Sequence, residues 1–121
     1  MTFVVIEGNT TGDATLREFT GKTGQQVPIS NASVAVNDRA YNSQSEQWED
    51  TGREFYEVTV AGEEAAHFAA SARKGTRLLI TGALRTEEYT DSDGNTRQRR
   101  RINATGHGVS TRFAPAHTAG N

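Results

Sequence analysis

The sequence predicts an all-β domain, a Greek-key barrel of five strands with one helix between strands 3 and 4. Three observations support this fold class. A chain of 121 residues, 34% of them hydrophobic, can bury one modest core. Its apolar residues mostly alternate with polar ones, which is typical of half-buried strands. An apolar face with helical spacing occurs once, after the third strand. This order of elements is that of the OB-fold.

The first two strands are predicted in the N-terminal third. An apolar run at residues 3–6 indicates a buried strand that continues toward residues 15–20, and the Gly-Lys-Thr-Gly cluster at 21–24 indicates a turn. Small apolar and polar side chains alternate over residues 27–36, which favours a second strand. The polar and aromatic segment 37–53 then forms either a long loop or the tip of an extended hairpin.

The third strand, residues 55–60, has an informative phase. Tyr56, Val58 and Val60 share one side of a strand, whereas Phe55 belongs to the other. Because the first side is the more apolar, we predict that it packs into the core. Phe55 is then expected on the outer surface.

One helix is predicted over residues 63–73. Ala65, Phe68, Ala69 and Ala72 recur at the spacing of a single helical face. Acidic residues begin the segment and basic residues end it, as the helix dipole favours. Gly75 is predicted to be the left-handed residue directly after the helix.

Two further strands complete the domain. Residues 78–90 indicate the fourth strand, and the Asp-Ser-Asp-Gly sequence at 91–94 indicates a turn into a last strand at about 96–105. We therefore expect an OB-fold domain over residues 1–112. A short flexible tail is expected over residues 113–121.

Composition excludes several classes of protein. No run of 18 apolar residues could span a membrane, and the N-terminus lacks the features of a signal peptide, so a cytoplasmic location is expected. Without cysteine there are no disulfides and no thiol chemistry. His67, His107 and His117 do not have metal-ligand spacing, so we predict no metal and no other cofactor. No catalytic constellation or phosphate loop is recognisable, so the protein is predicted to be non-enzymatic, without a small-molecule substrate.

The overall charge is not that of a typical nucleic-acid-binding protein. The formal net charge is -2 and the isoelectric point is about 5.9, whereas many such proteins are basic. A role in nucleic-acid binding therefore requires a local basic surface.

Four aromatic residues are candidates for stacking on nucleic-acid bases. Phe55 and Tyr89 belong to outer strand positions, and Tyr41 and Trp48 belong to the polar segment between strands. A flat ring accepts any base, because every base has a π-face. Alternatively, Trp48 folds back onto the barrel and one tyrosine packs at a subunit contact.

Arginines supply the candidate cations for phosphate binding. In the last strand Arg97, Arg99 and Arg101 would project from one side, opposite Ile102 and Ala104. The alternative is a solvated edge that prevents strand-to-strand aggregation. The other candidates are Arg39, Arg53 and Arg85.

Several motifs together resemble the bacterial single-stranded DNA-binding protein family. The resemblance covers nearly the whole chain to about Phe113, and Trp48 and residues 109–113 look most similar to actinobacterial members. The motifs are Glu-Gly-Asn-Thr-Thr-Gly-Asp-Ala-Thr-Leu-Arg at 7–17, Ala-Val-Asn-Asp-Arg at 35–39, Trp-Glu-Asp at 48–50, and segments 55–62, 74–84 and 89–94.

The resemblance implies a function and an assembly. It implies a homotetramer of OB-folds that wraps single-stranded DNA and protects it during replication, recombination and repair, in a cytoplasmic, nucleoid-associated setting. The family's stacking residues correspond by motif to Tyr41, Phe55 and Tyr89. In actinobacterial members a C-terminal strand can clamp neighbouring subunits, and residues 109–113 resemble that strand.

The chain also departs from the family pattern. Ala61 stands where an aromatic residue is usual, which removes one stacking platform, and Arg99 and Arg100 replace residues that are commonly apolar. The sequence ends at Asn121 without the acidic tip that recruits replication and repair proteins. We therefore expect either a shortened chain or a paralogue that does not recruit such partners.

Two alternative functions remain open from the sequence. One is a protein-interaction or assembly module with weak nucleic-acid affinity, which the net negative charge, Ala61 and the missing acidic tip favour. The other is binding of RNA, which differs from DNA at the 2′-hydroxyl.

Overall fold

Six strands and one helix form the described part of the protein. The computed structural model describes residues 2–118, with the backbone alone for residues 38–40 and 51. The elements in chain order are β1 (Thr2–Thr10), β2 (Thr15–Thr20), β3 (Gln26–Asn42), β4 (Gln47–Ala61), α1 (Glu64–Ser71), β5 (Arg77–Thr90) and β6 (Thr96–Val109).

The strands form one curved sheet in the order β1-β5-β6-β4-β3-β2. Neighbouring strands are antiparallel except for β4 and β6, which run parallel over a short ladder. A second antiparallel pairing joins β1 to β3, so the sheet bends back toward its first strand. The predicted first strand is interrupted at residues 11–14 and therefore forms both β1 and β2. The helix follows the third strand of the predicted order, as expected for an OB-fold.

The inner side of the sheet holds the core. Val58 and Val60 of β4 are fully buried, as their phase predicted, and they lie with Val34, Ile80 and Ile102. The helix closes one end of this core with its predicted apolar face, which is buried. Because one side of β4 and β5 packs into this core, the alternate residues of these strands must face outward.

Close strand approach at β1 depends on a glycine. A Cβ atom on Gly8 would lie 2.3 Å from the carbonyl oxygen of Ala35, closer than any side chain tolerates. The missing side chain lets β1 approach β3 closely enough for the two strands to pair.

The helix is shorter than the sequence predicted, and Gly75 does not cap it. α1 ends at Ser71, with Ala72 as its C-terminal cap, whereas Gly75 has a φ of 83° within the next turn. Tertiary hydrogen bonds explain the early end: the Ala14 amide donates to the Ala72 carbonyl, and the Thr10 hydroxyl donates to the next carbonyl, that of Arg73. These bonds satisfy the groups that another helical turn would have used.

The segment between the second and third predicted strands is an extended hairpin. β3 and β4 continue to Asn42 and Gln47, and a short turn joins them. The hairpin interpretation of residues 37–53 is therefore confirmed over the loop interpretation. At the other hairpin, the turn at residues 91–94 is confirmed, and β6 extends to Val109, beyond the predicted end.

No helix within residues 2–118 is both long enough and apolar enough to cross a membrane.

Candidate nucleic-acid interface

Strand register brings the predicted site residues of β4, β5 and β6 onto one surface. Glu57 pairs with Arg101, which pairs in turn with Arg85, and Tyr89 pairs with Arg97. Directly paired residues point to the same side of a sheet, and every second residue does likewise. We call this surface the outer face; it consists of Arg53, Phe55, Glu57, Arg85, Glu87, Tyr89, Arg97, Arg99 and Arg101.

Phe55 lies on the outer face with its ring open to solvent. Its side chain is 52% exposed, and the residue opposite it on β3 is the small Ala35. A phenylalanine exposed to this extent contributes less to the stability of the free domain than a buried one does. The position instead provides an accessible flat apolar surface.

Tyr89 combines an exposed ring with a cation. Tyr89 is 40% exposed, and the guanidinium carbon of Arg99 lies 4.6 Å from its ring centroid. This is cation–π geometry, with an energy of about 0.5–1 kcal/mol at exposed sites. Arg99 thus covers part of the ring surface in the free protein.

Tyr41 and Trp48 form a separate aromatic pair on the extended hairpin. They are direct partners across β3 and β4, with ring centroids 5.7 Å apart in an edge-to-face arrangement. Both remain exposed, and Trp48 does not fold back onto the barrel. The hairpin therefore presents its own aromatic surface beyond the outer face.

A glutamate lies between two of the arginines. Glu87 Oε1 is 3.6 Å from Arg85 Nε, and Glu87 Oε2 is 3.2 Å from Arg101 Nε, the latter without hydrogen-bond geometry. The cluster keeps one uncompensated positive charge. Ion pairs at such exposure are weak and screened by salt, so a phosphate can compete for both arginines.

Arg97 and Arg53 each have one anchoring contact. Arg97 Nε donates to Asp91 Oδ2 at 2.9 Å, and Arg53 Nε donates to Asn37 Oδ1 at 3.0 Å. The backbone of Arg39 lies in β3, but its side chain is outside the described part of the structure.

Asp91 organises the turn beside Arg97. Its hydrogen bond from Arg97, with further bonds from the backbone amides of Asn95, Asp93 and Gly94, lowers the pKa of the Asp91 carboxyl. The carboxylate therefore stays ionised and orients Arg97 at the end of the β5–β6 hairpin.

Sequence reasoning missed a groove at the edge of the outer face. It encloses about 780 Å³. Its charged lining residues are Glu7, Asp50, Arg53, Arg77 and Arg112. Because the groove forms where β1, β3 and the segment after β6 meet, no local pattern in the sequence indicates it.

The aromatic residue of this groove is Phe113. The guanidinium carbons of Arg77 and Arg112 lie 5.0 and 5.2 Å from its ring centroid. Arg77 in turn donates a hydrogen bond to Glu7, which lowers the pKa of the Glu7 carboxyl together with a bond from Ser110. The only sequence signal would have been the adjacency of Arg112 and Phe113 in an otherwise small and polar tail.

Within residues 2–118 no three His, Cys, Asp or Glu residues are grouped in a way that would hold a metal ion.

Comparison with known proteins decides the family. Residues 1–110 match the single-strand binding protein family. The chain belongs to that family. The family description names binding and no reaction, in agreement with the prediction of a non-enzymatic protein.

Actinobacterial proteins are among the similar family members. The single-stranded DNA-binding proteins of Corynebacterium glutamicum and Paenarthrobacter aurescens are 32% and 33% identical over 95% of this chain. This confirms the resemblance to actinobacterial members. The chain spans 49% and 65% of the length of these two relatives.

A solved structure confirms the fold class. The chain resembles the crystal structure of the small single-stranded DNA-binding protein from Streptomyces coelicolor, with a TM-score of 0.76 and 20% sequence identity. The match covers 91% of this chain and 94% of that one. At this identity the likeness establishes the OB-fold.

Proposed function

We propose that this family member binds single-stranded DNA with little sequence preference. The observation that carries the proposal is the outer face, where Phe55 and Tyr89 stand among arginines on three adjacent strands. Binding of single strands requires flat rings for the bases and cations along the phosphates. The outer face presents both groups side by side.

Local charge supports the proposal where the overall charge does not. The chain carries a net charge of -2, but the described side chains of the outer face include five arginines and two glutamates. The acidic excess therefore lies elsewhere on the molecule. A phosphate backbone approaching the outer face meets a positive surface, and its affinity should fall as salt rises.

Lack of sequence preference follows from the type of contact. Stacking on Phe55 depends on ring overlap and not on hydrogen-bonding edges, so any base is accepted. At Tyr89 a base occupies the part of the ring that Arg99 leaves open, while the Arg99 guanidinium reaches a phosphate. The hairpin pair, Tyr41 and Trp48, offers a further apolar surface for the strand.

Substitution of Phe55 tests the proposal. Phe55→Ala should weaken binding of fluorescein-labelled oligo(dT) by roughly 5- to 150-fold, the equivalent of one lost stack. The matched control is Phe19→Ala, because Phe19 is 62% exposed and lies on β2, two strands away from β4 in the sheet. Equal affinities of the two variants in fluorescence anisotropy would contradict the proposal.

We further propose that the protein acts as a homotetramer that protects single strands during replication, recombination and repair. A second exposed surface supports self-association. Phe3 and Val5 of β1 and Leu79 of β5 project from the same side of the sheet and are exposed; we call them the apolar face. Val5→Glu should reduce the mass measured by light scattering, and an unchanged mass would exclude this face as the subunit contact.

One observation favours a second candidate function, a protein-interaction module with weak affinity for DNA. Glu87 partly neutralises Arg85 and Arg101, which reduces the positive charge available to phosphates. Titration of Trp48 fluorescence with oligo(dT) separates the two functions. Quenching at sub-micromolar DNA supports strand binding, a flat trace supports the interaction module, and competition with oligo(U) measures any preference for RNA.

A further inference from the structure

The groove that contains Phe113 is continuous with the outer face. Paired residues form one row across four strands: Arg77 on β5, Asn9 on β1, Ala35 on β3 and Phe55 on β4. Three strand spacings of about 4.8 Å separate its ends, so Arg77 lies roughly 14 Å from Phe55 along the sheet. Arg77 contacts the ring of Phe113, which places an aromatic residue at each end of the row.

The floor of the groove between these rings is small and polar. Asn9, Ala35 and Asn37 line it and leave a trough across the strands. Its volume of about 780 Å³ falls within the range of roughly 300–1,000 Å³ that small-molecule sites occupy. The groove is therefore large enough to hold a nucleotide.

Charge in the groove favours a phosphate. Arg53, Arg77 and Arg112 line it together with Glu7 and Asp50. Arg77 and Ser110 both donate to Glu7, so that carboxylate is already paired. Arg53 donates to Asn37 through its Nε, so its terminal amino groups take no part in that bond.

Phe113 repeats the arrangement found at Tyr89. In both, a guanidinium lies within about 5 Å of an exposed ring, and Phe113 is the more open, with 73% of its surface exposed. Two bonds hold the segment in place: the Ser110 amide donates to the Arg77 carbonyl at 2.8 Å, and its hydroxyl donates to Glu7 at 3.0 Å. The backbone is thus anchored at Ser110, shortly before the ring.

We propose that a single strand bound at Phe55 continues through this groove and stacks a base on Phe113, with Arg112 and Arg53 contacting its phosphates. The inference rests on the proposed function, since it extends the same binding path. It assigns the segment after β6 a direct contact with nucleic acid.

Affinities measured for oligonucleotides of different lengths distinguish binding at Phe55 from binding at Phe113. Phe113→Ala should leave the affinity for the shortest bound oligo(dT) unchanged. It should weaken binding of longer strands by roughly 5- to 150-fold. Phe19→Ala is the matched control. If Phe113→Ala and Phe19→Ala bind strands of every length equally, the inference is wrong.

Two further measurements identify the contact. A strand containing 5-bromodeoxyuridine should crosslink on irradiation to the peptide that carries Phe113, and absence of that adduct would overturn the inference.

Arg112→Gln should make the plot of log affinity against log salt shallower by about 0.7, the value for one phosphate contact on a single strand. An unchanged slope would exclude Arg112 from the path.

The outcomes also distinguish this inference from the proposed function. If Phe55→Ala weakens binding and Phe113→Ala does not, only the groove is excluded. If neither variant changes affinity, strand binding on the outer face fails as well. Loss of affinity in Phe113→Ala together with a smaller mass in light scattering would show a subunit contact and overturn the groove assignment.

Discussion

The two ends of β5 expose different chemistry on the same side of the sheet. Toward its C-terminus Arg85 and Tyr89 join the arginines of β6, whereas toward its N-terminus Leu79 and Thr81 lie beside Val5 of β1, and Phe3 follows on β1 opposite Ala83. Both ends follow the same alternation of inner and outer residues. This difference shows that the alternation of residues along a strand determines which side chains face the core. The side chains of the neighbouring strand determine what each part of the surface can bind.

The largest expected effect is on the stability of the fold, on which both surfaces depend. Ile80 of β5 is fully buried in the core, on the side of the strand opposite to its outer side chains. Ile80→Ala should lower the free energy of unfolding by about 2–5 kcal/mol, because it leaves a cavity in a packed interior. Urea unfolding followed by circular dichroism measures the change, and a loss below about 1 kcal/mol would contradict this description of the core.

A second prediction separates the two surfaces. Phe55→Ala should weaken oligo(dT) binding by roughly 5- to 150-fold and leave the molecular mass unchanged. Phe3→Ala should lower the mass at dilute protein concentration, because Phe3 belongs to the apolar face and not to the stacking surface. Anisotropy and light scattering on both variants form the test. If either substitution changes both quantities equally, the two surfaces are not separate sites.

A smaller effect is expected from one cation of the outer face. Arg99→Gln should make the salt dependence of binding shallower by a slope of about 0.7. It also uncovers the Tyr89 ring, so affinity at high salt should change less than affinity at low salt. Lys22→Gln is the control, because Lys22 is exposed in the turn between β2 and β3. The same slope change in both variants would indicate a nonspecific charge effect.

The smallest expected effect concerns pH. The pKa of Asp91 is lowered mainly by its bond from Arg97, so the folded state favours the carboxylate. Its stabilising contribution is present above the carboxyl pKa of the unfolded chain, about 3.9, and is lost as pH falls through the lowered value of the folded protein. Thermal unfolding at pH 7 and pH 3 should show a smaller loss of stability for Asp91→Asn than for the parent protein. Identical losses would exclude this contribution.

The candidate site was predictable in part because strands have a two-residue period. The outer positions of Phe55, Tyr89 and the β6 arginines follow from alternation, and the structure places them on one surface. The register that joins β4 to β6 was not predictable, because parallel pairing of segments so distant in sequence leaves no local pattern. The Phe113 groove escaped prediction for the same reason.

By itself the sequence determined the order of strands and helix apart from the break between β1 and β2, the sides of β4, β5 and β6 that face outward, and the family to which the chain belongs. These depend on local periodicity and on motifs read along one chain. Only the tertiary structure decided where α1 ends, that Glu87 forms ion pairs with both Arg85 and Arg101, and which residues contact Phe113. Those outcomes depend on contacts between distant segments, and the energies of such contacts arise only once the sheet has curved and brought the segments together.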